Sequence, residues 1–369
     1  MTADYSARRA QLAAIPEVDA VAIVPGANML YFTGLDLHLS ERPIIALFTP
    51  DGQMSVIIPE LEAPRLAARP DLAARAFPWS DTDGYEGAFS AAAQALGLGE
   101  GAVLGVDGMT MRVTEGLALQ QAAPGLALRP VERALIAIRA RKQPDEIALM
   151  RRAVAVAEQA LDRLLAWVQP GMTERQIAAQ LVRELEALGS SRLAFEPLVQ
   201  TGPNSALPHG TVTERALQPD EFFLVDFGAV VDGYPSDITR TFCLGAPSAE
   251  MQTIFDTVLR ANEAARAAAG PGVPMGDVDR AARAVIEAAG YGPYFIHRTG
   301  HGLGLDAHEP IPQIAAGVPD LLEPGMAFTI EPGVYIPGLG GVRIEDDVVV
   351  TETGLDVLTS YPRRLAPGR

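Results

Sequence analysis

The chain has 369 residues, 48% hydrophobic and 20% charged, which is enough to bury one large core or two ordinary ones and excludes a disordered polymer. Its formal net charge of −17 at pH 7 argues against nucleic acid as a partner, because phosphate binding needs a basic field. Cut at Arg139, both parts remain acidic, so neither is a basic module.

In chain order, VDAVAIV (18–24), IIALFTP (44–50), MSVIIPE (54–60) and AVLGVD (102–107) are predicted strands. The Ala/Leu-rich stretches 61–75, 84–97 and 111–123 are predicted helices. The alternation gives an α/β domain with its own core, and no phosphate-binding loop follows any of these strands. A boundary is expected near 135–145, ahead of a long amphipathic helix whose first turn holds Pro144, Asp145 and Glu146. The domains are therefore 1–138 and 139–369. Lys142 is the only lysine among 29 basic residues, and composition alone gives it no mechanistic weight.

The second domain reads as an internal duplication. PGMTERQIAAQLVRELEALG (170–189) and PGVPMGDVDRAARAVIEAAG (271–290) share a Pro-Gly start, an amphipathic helix and a Gly stop. Each precedes a hairpin-like segment, at 221–245 and 326–351. Two α+β halves predict a pseudo-two-fold domain with a site at their seam.

Chemistry-bearing residues fall in matching places. Asp226 and Asp237 lie in the first hairpin segment, Glu331 and Glu345 in the second, all among apolar and β-branched neighbours. Singly, each reads as an outward-facing acid. Together at a seam they repel one another and lose hydration, unless two divalent cations offset four negative charges. Three of the five histidines, His297, His301 and His308, fall within HRTGHGLGLDAHE (297–309). Gly300, Gly302 and Gly304 favour an extended strand there over a zinc-binding helix. No serine-nucleophile elbow, Walker or dinucleotide loop is present. Cys243 reads as a small core residue; being single, it excludes a disulfide framework and suits a reducing cytoplasm. No apolar run reaches the length of a membrane span, and the first twenty residues lack the apolar centre of a secretory signal.

The motifs VDFGAVVDGYPSDITRTF, HRTGHGLGLDAHE, TIEPGVY and GVRIEDDVVVT resemble, in order, those of the pita-bread metallopeptidases: prolidase, aminopeptidase P and methionine aminopeptidase. The resemblance implies an α/β (α+β) protein, with an N-terminal creatinase-like α/β domain and a C-terminal pseudo-two-fold pita-bread domain. It implies Asp226, Asp237, His301, Glu331 and Glu345 as metal ligands, with Asp237 and Glu345 bridging two ions. It implies His209, in GPNSALPHG (202–210), and His308 as substrate-facing histidines, His297 and Arg343 as supporting residues, and Glu331 as proton acceptor.

All five ligands stand here, unlike in creatinase, and the extra N-terminal domain favours the proline-specific branch over methionine aminopeptidase. Arg42 and Arg298 are candidates for the substrate carboxylate, and Asp36 for its amine; a surface ion pair is an equal reading of Arg42. The expected activity is metal-dependent Xaa-Pro dipeptide hydrolysis. Aminopeptidase P action on longer peptides with proline second is the alternative. A non-catalytic peptide-binding module and a C–N hydrolase of a small metabolite rank below both. Mn²⁺ is the expected ion, Co²⁺ and Zn²⁺ being admitted by the same donors. A cytoplasmic homodimer is implied, with no nucleic-acid or membrane partner.

Overall fold

The structure is a computed structural model that describes residues 4–366, in two compact units, Met1–Arg139 and Ala140–Arg369. The first unit is one six-stranded sheet, β1 (Ala20–Ile23), β2 (Ile45–Phe48), β3 (Met54–Pro59), β4 (Arg75–Trp79), β5 (Val103–Val106) and β6 (Ala127–Pro130), in the order β4-β3-β2-β1-β5-β6. β2 is antiparallel to both of its neighbours and the other pairings are parallel. The helices are α1 (Tyr5–Ala10), α2 (Ala27–Thr33), α3 (Ala63–Ala67), α4 (Glu86–Ala95), α5 (Val113–Ala122) and α6 (Glu132–Ala140). Leu47, Ile57 and Leu104 from the strands meet Phe89, Ala92 and Leu119 from α4 and α5 in a buried core.

One reading of this unit needs correction. The helix expected over 61–75 is only the short α3 and a 3₁₀ turn, because Pro70 lacks the N–H that a continuing helix needs. The chain after it forms β4, an edge strand that carries Pro78 where a proline is tolerated.

The second unit repeats one plan. Its first half runs through α7 (Pro144–Trp167), α8 (Glu174–Ala187), β7 (Leu198–Thr201), β8 (Phe223–Phe227), β9 (Val230–Val231), β10 (Tyr234–Pro235) and β11 (Ile238–Phe242). Its second half runs through α9 (Ala249–Ala268), α10 (Met275–Ala288), β12 (Gly300–Gly302), β13 (Glu309–Ile314), β14 (Ala327–Ile330), β15 (Gly333–Ile336), β16 (Gly340–Arg343), β17 (Asp346–Val350) and β18 (Leu355–Val357). The antiparallel trio β7-β8-β11 reappears as β12-β14-β17, flanked by β13 and β18. Each half inserts a two-stranded hairpin, β9–β10 or β15–β16, before its last trio strand.

Local chemistry explains the repeat. Pro144 occupies the first turn of α7, and the Glu146 side chain accepts from the Gln143 N–H at 2.9 Å. The two Pro-Gly starts make the same bonds: Gly171 N–H to the Leu217 carbonyl and Gly272 N–H to that of Leu322, both at 2.8 Å. Ile177, Leu181 and Leu185 on α8, and Val278, Ala282 and Ile286 on α10, form the buried stripes of amphipathic helices. Cys243 is buried in the core of the second half. Among the described residues, no helix is long and apolar enough to cross a membrane.

Candidate metal centre

The repeat sets the four carboxylates. Asp226 lies near the end of β8 and Glu331 directly follows β14, the middle strands of the two trios. Asp237 directly precedes β11 and Glu345 directly precedes β17, the last trio strands. A third half-symmetric position, His301 on β12, brings its Nε2 to 3.6 Å from Asp237 and 3.4 Å from Glu331. Gly300 is required beside it, since a Cβ there would lie 1.9 Å from the Thr329 carbonyl oxygen.

These atoms form three overlapping groups: Asp226, Asp237 and Glu345; His301, Glu331 and Glu345; and Asp237, His301 and His308. Within each, the candidate ligand atoms lie within 4.8 Å of one another. The donor set fits divalent cations. Asp226 Oδ1 is buried without a hydrogen-bond partner. His301 Nδ1 faces the Gly302 carbonyl at 3.0 Å, so Nδ1 carries the proton and the Nε2 lone pair points at two carboxylates. A cation among them, or a proton held by one of the carboxyls, makes that arrangement favourable.

The electrostatics agree. Burial, then the charges of Glu345 and Asp226, push Asp237 well above the usual carboxylate range. Burial, then Glu331 and Asp226, do the same to Glu345. Burial lifts Glu331 to about 7 despite the opposing Arg343 charge. The imidazoles move the other way: burial takes His301 down to about 3, helped by His308, and His297 to about 4, helped by Arg343. An acid set inclined to hold protons beside histidines inclined to shed them is one that a metal can occupy by displacing protons.

Arg343 ties the halves together. Its Nη2 donates to Asp226 at 2.5 Å, Nη1 to the Tyr335 hydroxyl at 2.9 Å and Nε to the Thr239 hydroxyl at 3.0 Å. Thr239 in turn donates to Glu345 at 2.5 Å. His297 donates through Nδ1 to the Arg298 carbonyl at 2.7 Å and accepts the Tyr335 hydroxyl at Nε2, 2.8 Å away. Tyr335, Thr239 and Asp347, which accepts the Asp237 N–H at 3.1 Å, escaped the sequence reading. Strand alternation was the available signal for two of them: Asp237 and Thr239 are two residues apart at the start of β11, and Glu345 and Asp347 at the start of β17.

A cavity of about 520 Å³ opens over this centre, lined among others by His209, His297, Arg298, His308, Glu331 and Arg343. The His308 ring centroid lies 3.7 Å from that of His301 although the residue is exposed; partial desolvation, then the Arg298 charge, lower its pKa. The Arg298 guanidinium lines the cavity with no ion pair among the described residues. Arg42 and Asp36 belong to the first unit. Arg42 makes a two-pronged bond to Asp81 at 2.8 and 2.9 Å and another to Glu41 at 2.7 Å, which is the surface-pair reading of that residue. Asp36 is exposed, and its carbonyl accepts from Arg65.

Residues 148–352 match the family model of metallopeptidase family M24, and residues 8–141 that of the creatinase/prolidase N-terminal domain. An uncharacterized peptidase of Staphylococcus aureus is 35% identical over 347 residues, covering 94% of this chain and 96% of the relative. Among solved structures, a recombinant prolidase from Thermococcus sibiricus matches with a TM-score of 0.93 at 33% identity, covering 99% of this chain and 100% of that one. An X-Pro aminopeptidase from Thermotoga maritima matches with a TM-score of 0.85 at 28% identity, covering 95% and 97%.

Proposed function

The chain belongs to metallopeptidase family M24, and from that premise we propose that it is an Xaa-Pro dipeptidase with a dinuclear centre. Asp226, Asp237, His301, Glu331 and Glu345 would hold two divalent cations, with Asp237 and Glu345 shared. Those cations supply Lewis acidity, making water a nucleophile near neutral pH and polarising the scissile carbonyl. Mn²⁺ suits an oxygen-rich set with one imidazole. Glu331 takes the proton of the attacking water and passes it to the proline nitrogen, which as a tertiary amide has no hydrogen of its own. His308 and His209, both lining the cavity, face the carbonyl oxygen and its developing charge. Arg343 and Tyr335 keep Asp226 and His297 in place. The working form is taken as a cytoplasmic homodimer, as the family resemblance implies.

The observation that carries the dipeptide reading is Arg298, a cation in the cavity wall without a carboxylate partner among the described residues. A dipeptide ends in a carboxylate just beyond proline, and a guanidinium fork matches it in both shape and charge. We assign that role to Arg298 ahead of Arg42, whose fork already holds Asp81. The likeness to the Thermotoga X-Pro aminopeptidase supports a second reading, in which longer peptides enter and the proline carboxylate is never free. A panel of Ala-Pro, Ala-Pro-Ala and Ala-Ala with added Mn²⁺ separates them. We expect Ala-Pro to be cleaved fastest, and Arg298→Ala to weaken kcat/KM on Ala-Pro by about 1.5–3 kcal/mol while sparing Ala-Pro-Ala. Preference for the tripeptide, unchanged in the variant, would establish the aminopeptidase.

A further inference from the structure

Beside the metal centre, the edge of the first-half sheet is bulged. Leu198, the first residue of β7, pairs with Asp226, and upstream Leu193 pairs with Ala229. The chain 193–198 therefore holds two more residues than the chain 226–229 that it faces. The excess has no room toward β8, where a Cβ at Gly228 would lie 2.8 Å from the Ala194 Cβ. Glu196 sits on this bulge, ahead of the buried Pro197, which confines it to an extended backbone. A bulge next to a site re-aims a side chain, and Glu196 is exposed and lines the cavity together with Phe195 and Leu198.

The charges around the cavity single this residue out. Four of its carboxylates belong to the proposed ligand set, and Arg343 is held by Asp226. That leaves Arg298 and Glu196, two opposite charges with no ion pair among the described residues. Arg298 is assigned to the substrate carboxylate, so Glu196 is a free anion in the wall of a peptide cavity. Its complement is a cation on the other part of the substrate, the residue ahead of proline. The α-ammonium of that residue is one carbon from the scissile carbonyl and stays near the metal ligands with it. A lysine or arginine side chain reaches well beyond, toward an exposed carboxylate, and its stem can lie on the Phe195 ring beside Glu196.

We propose that Glu196 is a specificity-determining residue, which selects dipeptides whose first residue carries a positively charged side chain, lysine or arginine ahead of proline. The assignment rests on the peptidase reading above. The same carboxylate repels an acidic first residue, so it discriminates in both directions.

The test uses the full Mn²⁺-loaded chain as wild type, Glu196→Gln and Glu196→Lys, with kcat/KM measured on Lys-Pro, Ala-Pro and Glu-Pro. Wild type is expected to prefer Lys-Pro over Ala-Pro and Ala-Pro over Glu-Pro, with the spread narrowing as salt is added. In Glu196→Gln the ratio of Lys-Pro to Ala-Pro should fall about tenfold, through KM, the scale of a charge-assisted hydrogen bond discounted for solvent exposure. Glu196→Lys should invert the order and favour Glu-Pro. A Lys-Pro to Ala-Pro ratio that is the same in wild type and Glu196→Gln overturns the proposal. An equal loss on all three substrates overturns it as well, by assigning Glu196 to the α-ammonium. If the wild type cleaves no Xaa-Pro peptide, calorimetric binding of Lys-Pro and Ala-Pro to wild type and Glu196→Gln still decides the charge preference, so the two failures remain distinct.

Discussion

The two halves of the second unit share one plan and contribute different chemistry. The first half supplies two aspartates to the centre, Asp226 and Asp237, and an exposed histidine, His209, on the segment after β7. The second supplies two glutamates, the one imidazole within the proposed ligand set, and the Arg343 fork that reaches back to Asp226. Each half also buries an acid on its shorter helix. Glu174 on α8 accepts from the N–H and hydroxyl of both Thr201 and Thr213, closing off the segment that carries His209. Asp279 on α10 accepts from the N–H and hydroxyl of Thr299, whose carbonyl receives the Glu331 N–H at 2.8 Å. Duplication thus fixed where side chains stand, and divergence decided what each half does: one acid secures a loop that faces substrate, the other secures the ligands themselves.

The largest expected effect falls equally on both halves. Asp237→Ala and Glu345→Ala should each bring Ala-Pro hydrolysis below detection, because each removes a carboxylate shared by two of the three donor groups. Retained activity in one of them would confine the centre to a single half. Next, the second half should split by role. His301→Ala should lose metal and activity together, whereas His308→Ala should keep its metal and lose about 10²–10³ in kcat. Equal loss of metal, by elemental analysis, would make His308 a ligand, which the group of Asp237, His301 and His308 also permits geometrically. Then the anchors should differ. Asp279→Asn should lower metal affinity through Thr299 and Glu331, while Glu174→Gln should lower thermal stability by about 1–3 kcal/mol with its metal retained. The same metal affinity in both variants would erase the distinction between the halves.

Much of this was legible in the sequence because it depends on spacing. Paired helix starts, four acids in apolar strands and three clustered histidines point to a shared seam, and the Pro144 start of α7 follows from helix-end chemistry. The assignment of single roles came from family resemblance. What stayed hidden depends on partners distant in sequence. Asp279 and Glu174 look like ordinary helix acids until Thr299 and Thr201 fold against them. Lys142 looks compositional until Glu309, 167 residues later, meets it. β4 was missed because Pro78, inside it, reads as a strand breaker, although an edge position accommodates it.

The smallest expected effect is a stability slope. In the metal-free chain Glu331 is raised from 4.5 to about 7, so its protonated form favours folding; that contribution is complete below about pH 4.5 and is lost as pH rises through 7. His301 and His297, lowered from 6.5, act oppositely, and their contribution fades as pH falls from 6.5 through about 4 and 3. Asp237 and Glu345 are raised in the same sense as Glu331, so between pH 6.5 and 8 the three carboxylates together outweigh the two histidines. The melting temperature of chelated protein should fall over that interval, less steeply in Glu331→Gln. An unchanged slope in the variant would remove Glu331 from the charge balance of the centre.

The central claim is that two halves jointly build one metal-dependent peptidase site, and one titration addresses it directly. Wild-type protein is stripped with EDTA, Mn²⁺ is returned stepwise, and bound metal and Ala-Pro hydrolysis are followed on the same preparation. The account predicts an inactive stripped chain whose activity returns as the ions bind, reaching its plateau at two per chain. Full hydrolysis by protein shown by elemental analysis to be metal-free would contradict it.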